Sequence, residues 1–290
     1  MVEQLGVIGC GLMGGSFALA LRQAGAVRRI VGFSRSPASA QRALELGVVD
    51  AVAPDASAAA AGSDLLVLAV PVATTQAVLE SVREALAPGA LCMDVGSTKR
   101  DVVHAARLGL GPRVDHFVPA HPIAGKERAG VDEADAALYR GCQVILTPTS
   151  ESDPQRVARA RRCWEAVGAR VLTMTPEAHD RAYAAVSHLP HLLAFAAFEA
   201  IARQDDAAAL LGLAGPGFRD FTRIAGAEPA MWRDILLANR DEVLAQSALF
   251  RQALDGLEQA LRAGDAQALH AQLTAISTAR AAWRMRGAAD

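Results

Sequence analysis

Aromatic residues are scarce in this chain: Phe, Tyr and Trp together supply 4% of its 290 residues. Alanine is abundant instead, which favours helices. No sign of charge dominates, the formal net charge being −2, and no stretch is strongly basic. Nucleic acid is therefore not expected as a partner. No uninterrupted apolar run reaches the roughly 18 residues of a membrane-spanning helix, so no membrane segment is expected. The N-terminus lacks the basic start, long apolar stretch and cleavage site of a signal peptide. Only four cysteines occur, Cys10, Cys92, Cys142 and Cys163, too scattered for a CxxC pair. Buried, reduced thiols in a cytoplasmic protein are the simplest expectation. What the chain has in quantity is hydrophobic residues, 52% of the total, enough for a sizeable core. Its length fits one large domain or two ordinary ones.

The first half alternates short apolar runs with helical spacing. Runs at 5–10, 29–33, 64–71, 89–97, 116–122, 142–148 and 169–174 read as strands. The run "DLLVLAVP" is continuous, as a strand buried on both faces requires. Residues 12–25, 37–47, 74–86 and 154–167 read as helices, with Pro37 in a first turn and Gly47 as a stop. Strands separated by helices predict an α/β, Rossmann-type, mostly parallel, doubly wound sheet. From Pro176 onward only helical patterns appear, at 177–203, 229–263 and 265–285, interrupted by a glycine-rich stretch at 210–226. The expected organisation is a dinucleotide-binding domain over 1–175 and an all-α domain over 176–290.

Gly9, Gly11 and Gly14 form a GxGxxG turn between the first strand and the first helix. The first glycine allows the tight turn, the second lets backbone approach a pyrophosphate, and the third lets helix and strand touch. The helix N-terminus then offers N–H groups and a positive dipole end to the phosphates. A lone GxGxxG is weak evidence; its place in a βαβ unit makes it specific. Leu12 and Met13 in this turn, and Val70 at the end of "DLLVLAV", complete the expected cofactor contacts. An acidic residue about 20 positions on would hold the ribose hydroxyls of NAD. This chain has Phe33, Ser34, Arg35 and Ser36 there. Arg35 can fork around a 2′-phosphate while Ser34 and Ser36 donate hydrogen bonds, so NADP is favoured over NAD. The bland alternative is an exposed loop charge with NAD binding adequately.

Two further segments end strands at the edge where ligands gather: "DVGSTK" (94–99) and "AHPIAGKERAG" (120–130). His121 lies in the second. An isolated histidine is more often structural, and its position beside the cofactor crevice makes it a candidate base. Ser97 or Thr98 can equally cap the helix that begins near Lys99. His188 and His191 are three apart in "SHLPH", with His179 nearby, a spacing compatible with metal. No carboxylate or cysteine set completes such a site, so no metal is expected.

These segments together resemble the prephenate dehydrogenase family, which includes cyclohexadienyl and arogenate dehydrogenases. The resemblance covers nearly the whole chain. It rests on "GCGLMGGS" (9–16), "DVGSTK" (94–99), "HPIAGKERAG" (121–130), "AVSHLPHLLA" (185–194) and "GFRDFTRIA" (217–225). It implies oxidative decarboxylation of prephenate to 4-hydroxyphenylpyruvate, the precursor of tyrosine. His121 matches the family's catalytic histidine, and Ser97 the serine that hydrogen-bonds the same substrate hydroxyl. Arg223 matches the arginine that grips the substrate carboxylate, with Arg219 the competing candidate. A structural ion pair with Asp220 or Glu228 is the alternative role for either arginine. His191 matches the position near the substrate side chain and suits the keto acid prephenate, with arogenate as a second substrate. Ser187 is a further substrate contact; His188 and Asp180 are weaker candidates. Lys126 and Glu127 are candidates to gate the entrance or to pair with one another, and Trp232 for packing, an interface or the pocket lining. The resemblance also implies a homodimer formed through the helical domain. No βαββαβ pattern of a regulatory domain follows the last helix. The rival of another class is a non-catalytic NADP-binding sensor.

Overall fold

Strands of two to seven residues form within the apolar runs, and the amphipathic stretches between them become helices. The structure is a computed structural model that describes residues 1–126 and 128–284. The chain divides into two units, Met1–Ala182 with Ala227–Asn239, and Tyr183–Gly226 with Arg240–Asp290. The first unit thus runs on past residue 175 to Ala182 and takes in a later helical segment.

In chain order the first unit contains β1 (Val2–Ile8), α1 (Leu12–Gln23), β2 (Val27–Phe33), α2 (Pro37–Glu45), β3 (Ala51–Val52), α3 (Ala56–Ala60), β4 (Leu65–Leu68) and α4 (Thr75–Val82). It continues with β5 (Leu91–Asp94), α5 (Arg100–Leu110), β6 (Phe117–Val118), β7 (Ala120–Pro122), β8 (Gln143–Leu146), α6 (Pro154–Ala166), β9 (Arg170–Thr173) and α7 (Pro176–Tyr183). Six strands form a parallel sheet in the order β3-β2-β1-β4-β5-β6. The order reverses between β1 and β4, and ligands of such sheets bind beyond the strand ends at that point. The run 116–122, expected as one strand, is two. Pro119, with no N–H to give to a ladder, separates β6 from β7. β7 then leaves the parallel sheet and pairs antiparallel with β8, which pairs parallel with β9.

Both faces of the main sheet are covered. On one, Phe17, Tyr139 and Trp164 meet in a buried aromatic cluster, with Phe17 and Trp164 rings 4.5 Å apart between centroids. The Tyr139 hydroxyl donates to the Met13 carbonyl at 2.7 Å, which ties this cluster to the first turn of α1. On the other, Leu66, Leu68, Leu79, Val102, Leu110 and Phe117 form a second cluster.

The second unit is helical: α8 (Leu189–Ala202), α9 (Ala207–Gly212), α10 (Pro216–Thr222), α12 (Arg240–Ala263) and α13 (Ala266–Ala282). α11 (Pro229–Ala238) belongs to the first unit. Two expected long helices are interrupted. A π-turn over Ala184–His188 lies between α7 and α8. Asn239, with φ −110 and ψ 27, separates α11 from α12, and its buried amide donates to the Asp180 carbonyl at 2.8 Å. The stretch Pro176–Ala202 is apolar and long enough, by length and composition alone, to cross a membrane. It also carries His179, Asp180 and His188, all buried polar residues.

Candidate active site

The glycine turn follows β1 at the point where the sheet order reverses. Gly9 has φ +97, and a Cβ there would lie 2.1 Å from the Ala69 carbonyl oxygen. A Cβ on Gly14 would lie 2.2 Å from the Gly9 oxygen. Both positions therefore require glycine. A Cβ on Gly11 would meet nothing within 4 Å, so the turn is open where a ligand's phosphate would approach. Gly11 caps α1 without a side-chain acceptor, which leaves first-turn N–H groups to an anion. Val70 follows β4 on the other side of the crevice. These residues fit a dinucleotide.

Beyond β2, Ser34 accepts a hydrogen bond from the Cys10 amide at 3.1 Å and so supports the glycine turn. Ser36 caps α2 by accepting from Ser39 N. Arg35 between them is exposed.

β5 ends in Asp94, and the turn that follows carries Ser97. The Asp94 carboxylate accepts from the amides of Gly96 at 2.8 Å and Ala120 at 3.0 Å, and from the Lys99 ammonium. Lys99, with no exposed surface, also donates to the Ala120 carbonyl at 2.8 Å. One buried ion pair thus holds both backbone groups of Ala120, the residue before His121. It fixes the Ser97 turn and the histidine strand in one frame.

His121 is buried at the centre of β7, and its Nδ1 lies 2.8 Å from His179 Nε2. His179 Nδ1 lies 2.7 Å from Asp180 Oδ1. The Asp180 carboxylate also accepts from the amides of Lys99 at 2.8 Å and Arg100 at 2.9 Å. It therefore caps α5 from α7; neither Ser97 nor Thr98 does so, since the cap residue is Lys99 and no local side chain bonds there. Burial raises the Asp180 carboxyl, but hydrogen bonds from His179 and the two amides outweigh it and leave the group below its ordinary value. Burial lowers His179, against the pull of Asp180.

In the second unit, the π-turn and α8 present Ser187, His188 and His191. His191 Nδ1 lies 2.9 Å from the Ser187 carbonyl and donates to it, which puts its lone pair on Nε2. Burial and the Arg223 guanidinium lower its proton affinity. Arg223 is exposed at the end of α10. Arg219 pairs with Asp220 at 3.1 Å, while Glu228 caps α11 by accepting from Met231 N. The first unit thus gathers the glycine turn, Val70, the Ser34–Ser36 loop, Ser97 and His121 at its strand ends. The second gathers Ser187, His191 and Arg223. Lys126 pairs with Asp135 at 3.3 Å. Glu127 lies outside the described residues. Trp232 is buried in α11. Among the described residues no group of three or more His, Cys, Asp or Glu could hold a metal ion. Sequence reasoning underrated His179, Asp180, Asp94 and Lys99; the only local signal was the adjacent His-Asp pair and the charged ends of "DVGSTK".

A 3-2-1-4-5-6 parallel sheet with a glycine turn at its switch point, and a buried histidine on a polar relay in the short strand β7 of the same unit, define a dinucleotide-dependent dehydrogenase. Its relatives narrow that class. Residues 17–173 match the family described as "Prephenate dehydrogenase, nucleotide-binding domain", and residues 175–275 match "Prephenate dehydrogenase, dimerization domain". The chain belongs to the prephenate dehydrogenase family. It is 35% identical over 271 residues to the prephenate dehydrogenase of Bacillus subtilis, covering 93% of this chain and 73% of that one. It is 31% identical to the cyclohexadienyl dehydrogenase of Zymomonas mobilis over 91% of this chain and 90% of that one. The crystal structure of prephenate dehydrogenase from A. aeolicus, in complex with hydroxyphenyl propionate and NAD+, matches with a TM-score of 0.90 at 35% identity, covering 97% of this chain and 98% of that one.

Proposed function

We propose that the protein oxidises and decarboxylates prephenate to 4-hydroxyphenylpyruvate in tyrosine biosynthesis. The observation that carries this reading is the hydrogen-bonded chain from His121 through His179 to Asp180, in the unit that also carries the dinucleotide turn. NAD(P) held by Gly9, Gly11, Leu12, Met13, Gly14 and Val70 supplies the hydride acceptor. His121 Nε2 takes the proton of the ring hydroxyl as hydride leaves the carbon that bears it. Ser97 hydrogen-bonds the same hydroxyl and fixes its direction. The ring carboxylate departs as carbon dioxide, its bonding pair enters the ring, and the oxygen regains its proton from His121. Arg223, by its place in the family's motif, grips a substrate carboxylate through two parallel hydrogen bonds, with Arg219 as the competing candidate. His191 and Ser187 face the substrate side chain. A solved relative named arogenate dehydrogenase, from Synechocystis and 31% identical, supports arogenate as a second substrate.

NADP is the favoured cofactor, supported by exposed Arg35 between two serines and by the lack of an acid at 33–36. A strong preference for NAD in Michaelis constants would refute that choice. A homodimer through the helical part is supported by the dimerization-domain match and by Leu244, Leu261 and Ile276, each more than half exposed on α12 and α13. Domains divided at residue 175 are supported by the two family matches. A cytoplasmic location is supported by four free cysteines, of which Cys10 is pushed up to about 11 by burial. The test is absorbance of reduced cofactor with prephenate or arogenate and with NAD or NADP. Reduction with prephenate is expected; no signal in any of the four combinations would favour a non-catalytic sensor.

A further inference from the structure

Resting on the reading of His121 as the base, we infer that His179 and Asp180 are positioning residues that fix the tautomer of His121, with His179 as the middle member of a His–His–Asp relay. The assignment follows from counting protons. An ionised carboxylate only accepts hydrogen bonds. Asp180 has three donors around it: the amides of Lys99 and Arg100, and His179 Nδ1. His179 must therefore carry its proton on Nδ1. A neutral His179 then has only a lone pair on Nε2, and that atom lies 2.8 Å from His121 Nδ1. A lone pair needs a donor opposite it, so His121 carries its proton on Nδ1. The lone pair of His121 is consequently on Nε2, the atom that must receive the substrate proton.

The other arrangement is disfavoured by the same surroundings. If His179 were doubly protonated it would donate to His121 Nδ1 and drive the His121 proton onto Nε2, leaving no base there. Burial and the nearby Lys99 ammonium oppose that extra proton, while Asp180 and Asp94 favour it; the balance leaves His179 below its ordinary value. When His121 becomes an imidazolium during turnover, its Nδ1–H still faces the His179 lone pair. Asp180 then stabilises the charge through one intervening ring, with no proton passed along. Asp180 has a second task, because its carboxylate also anchors the first turn of α5, the helix that follows the Ser97 turn. One side chain thus contributes both to base orientation and to anchoring the helix after the Ser97 turn.

The test compares two substitutions at His179 in the full-length protein. In His179→Gln the amide oxygen stands near the position of Nε2 and accepts from His121 Nδ1–H; in His179→Leu nothing does. The Leu variant is expected to lose about 100-fold or more in kcat, the cost of a base in the wrong tautomer, with KM values for prephenate and cofactor within about threefold. The Gln variant is expected within about tenfold of the parent. Histidine 15N spectra of the parent should show His121 protonated at Nδ1, with the same signature in the Gln variant and mixed tautomers in the Leu variant. Equal kcat for Gln and Leu, or a parent His121 protonated at Nε2, overturns the relay. If the parent does not oxidise prephenate the functional reading fails, and the parent spectrum alone still decides the relay, including where the Leu variant does not fold.

Discussion

Replacing Lys99 by Met tests the frame that holds the reacting groups. Lys99 has no exposed surface, and its ammonium is shared between the Asp94 carboxylate and the Ala120 carbonyl. Methionine fills nearly the same volume, so little of the effect comes from a cavity. The loss is electrostatic. Asp94 is left as a buried charge without a counterion, which typically costs about 3–5 kcal/mol. The Ala120 carbonyl loses a donor as well. Its cost overlaps with that of the charge, because the same ammonium served both, so the total stays near the upper end of that range. For a chain of this size the melting temperature should fall on the order of 10 °C. The amides of Gly96 and Ala120 still bind Asp94, so the fold should survive. Ala120 precedes His121, so kcat should also fall. The assay is urea denaturation and kinetics of Lys99→Met, Asp94→Asn and the double variant. The double variant should cost less than the two single losses combined by about 2 kcal/mol or more, the mark of a coupled pair. A loss below about 1 kcal/mol for Lys99→Met, or strict additivity, would refute the frame.

Other outcomes follow from the same geometry. His121→Asn should lower kcat by about 100- to 10,000-fold with cofactor affinity little changed, measured by stopped-flow turnover and cofactor titration. Arg223→Ala should raise KM for prephenate by about 10- to 100-fold, as loss of a charge-assisted pair of hydrogen bonds requires, and more than Arg219→Ala does. An unchanged KM would move the anchor to Arg219. Stability should decline below about pH 6.5, the unperturbed histidine value. Burial lowers His116 and His179 in the folded chain, with Arg156 adding to the effect at His116, so the unfolded chain takes up their protons at higher pH. The contribution is complete above that value and is lost as the pH falls toward the folded values. Thermal melts from pH 8 to 5 should show a flat region and then a fall, shallower in His179→Gln; a melting temperature that rises on acidification from pH 7 would contradict this.

The alternation of strand and helix is legible because a strand buried on both faces must be an unbroken apolar run, as in Leu65–Leu68. The glycine turn is legible because two of its positions admit no Cβ. The second sheet is not, since nothing in "HFVPAHP" says that the chain changes partners at Pro119. The break at Asn239 is equally silent: helical periodicity continues through it, and the side-chain amide there binds a residue 59 positions away. His121 could be placed at a strand end by pattern and assigned a role by resemblance. Its partner His179 lies 58 residues on, in a helix that reads as ordinary amphipathic sequence. Local pattern favoured Ser97 or Thr98 as the cap of α5, whereas Asp180 supplies it across 80 positions of chain. Contacts of that range are set by topology, which a single sequence displays only in outline.

The most direct measurement pairs reduced cofactor with carbon dioxide during turnover of prephenate. Hydride loss and decarboxylation on one ring predict one equivalent of each, with 4-hydroxyphenylpyruvate as the product and both signals abolished together in His121→Asn. Reduction without carbon dioxide, or carbon dioxide without reduction, would contradict the assignment of this chain as a prephenate dehydrogenase.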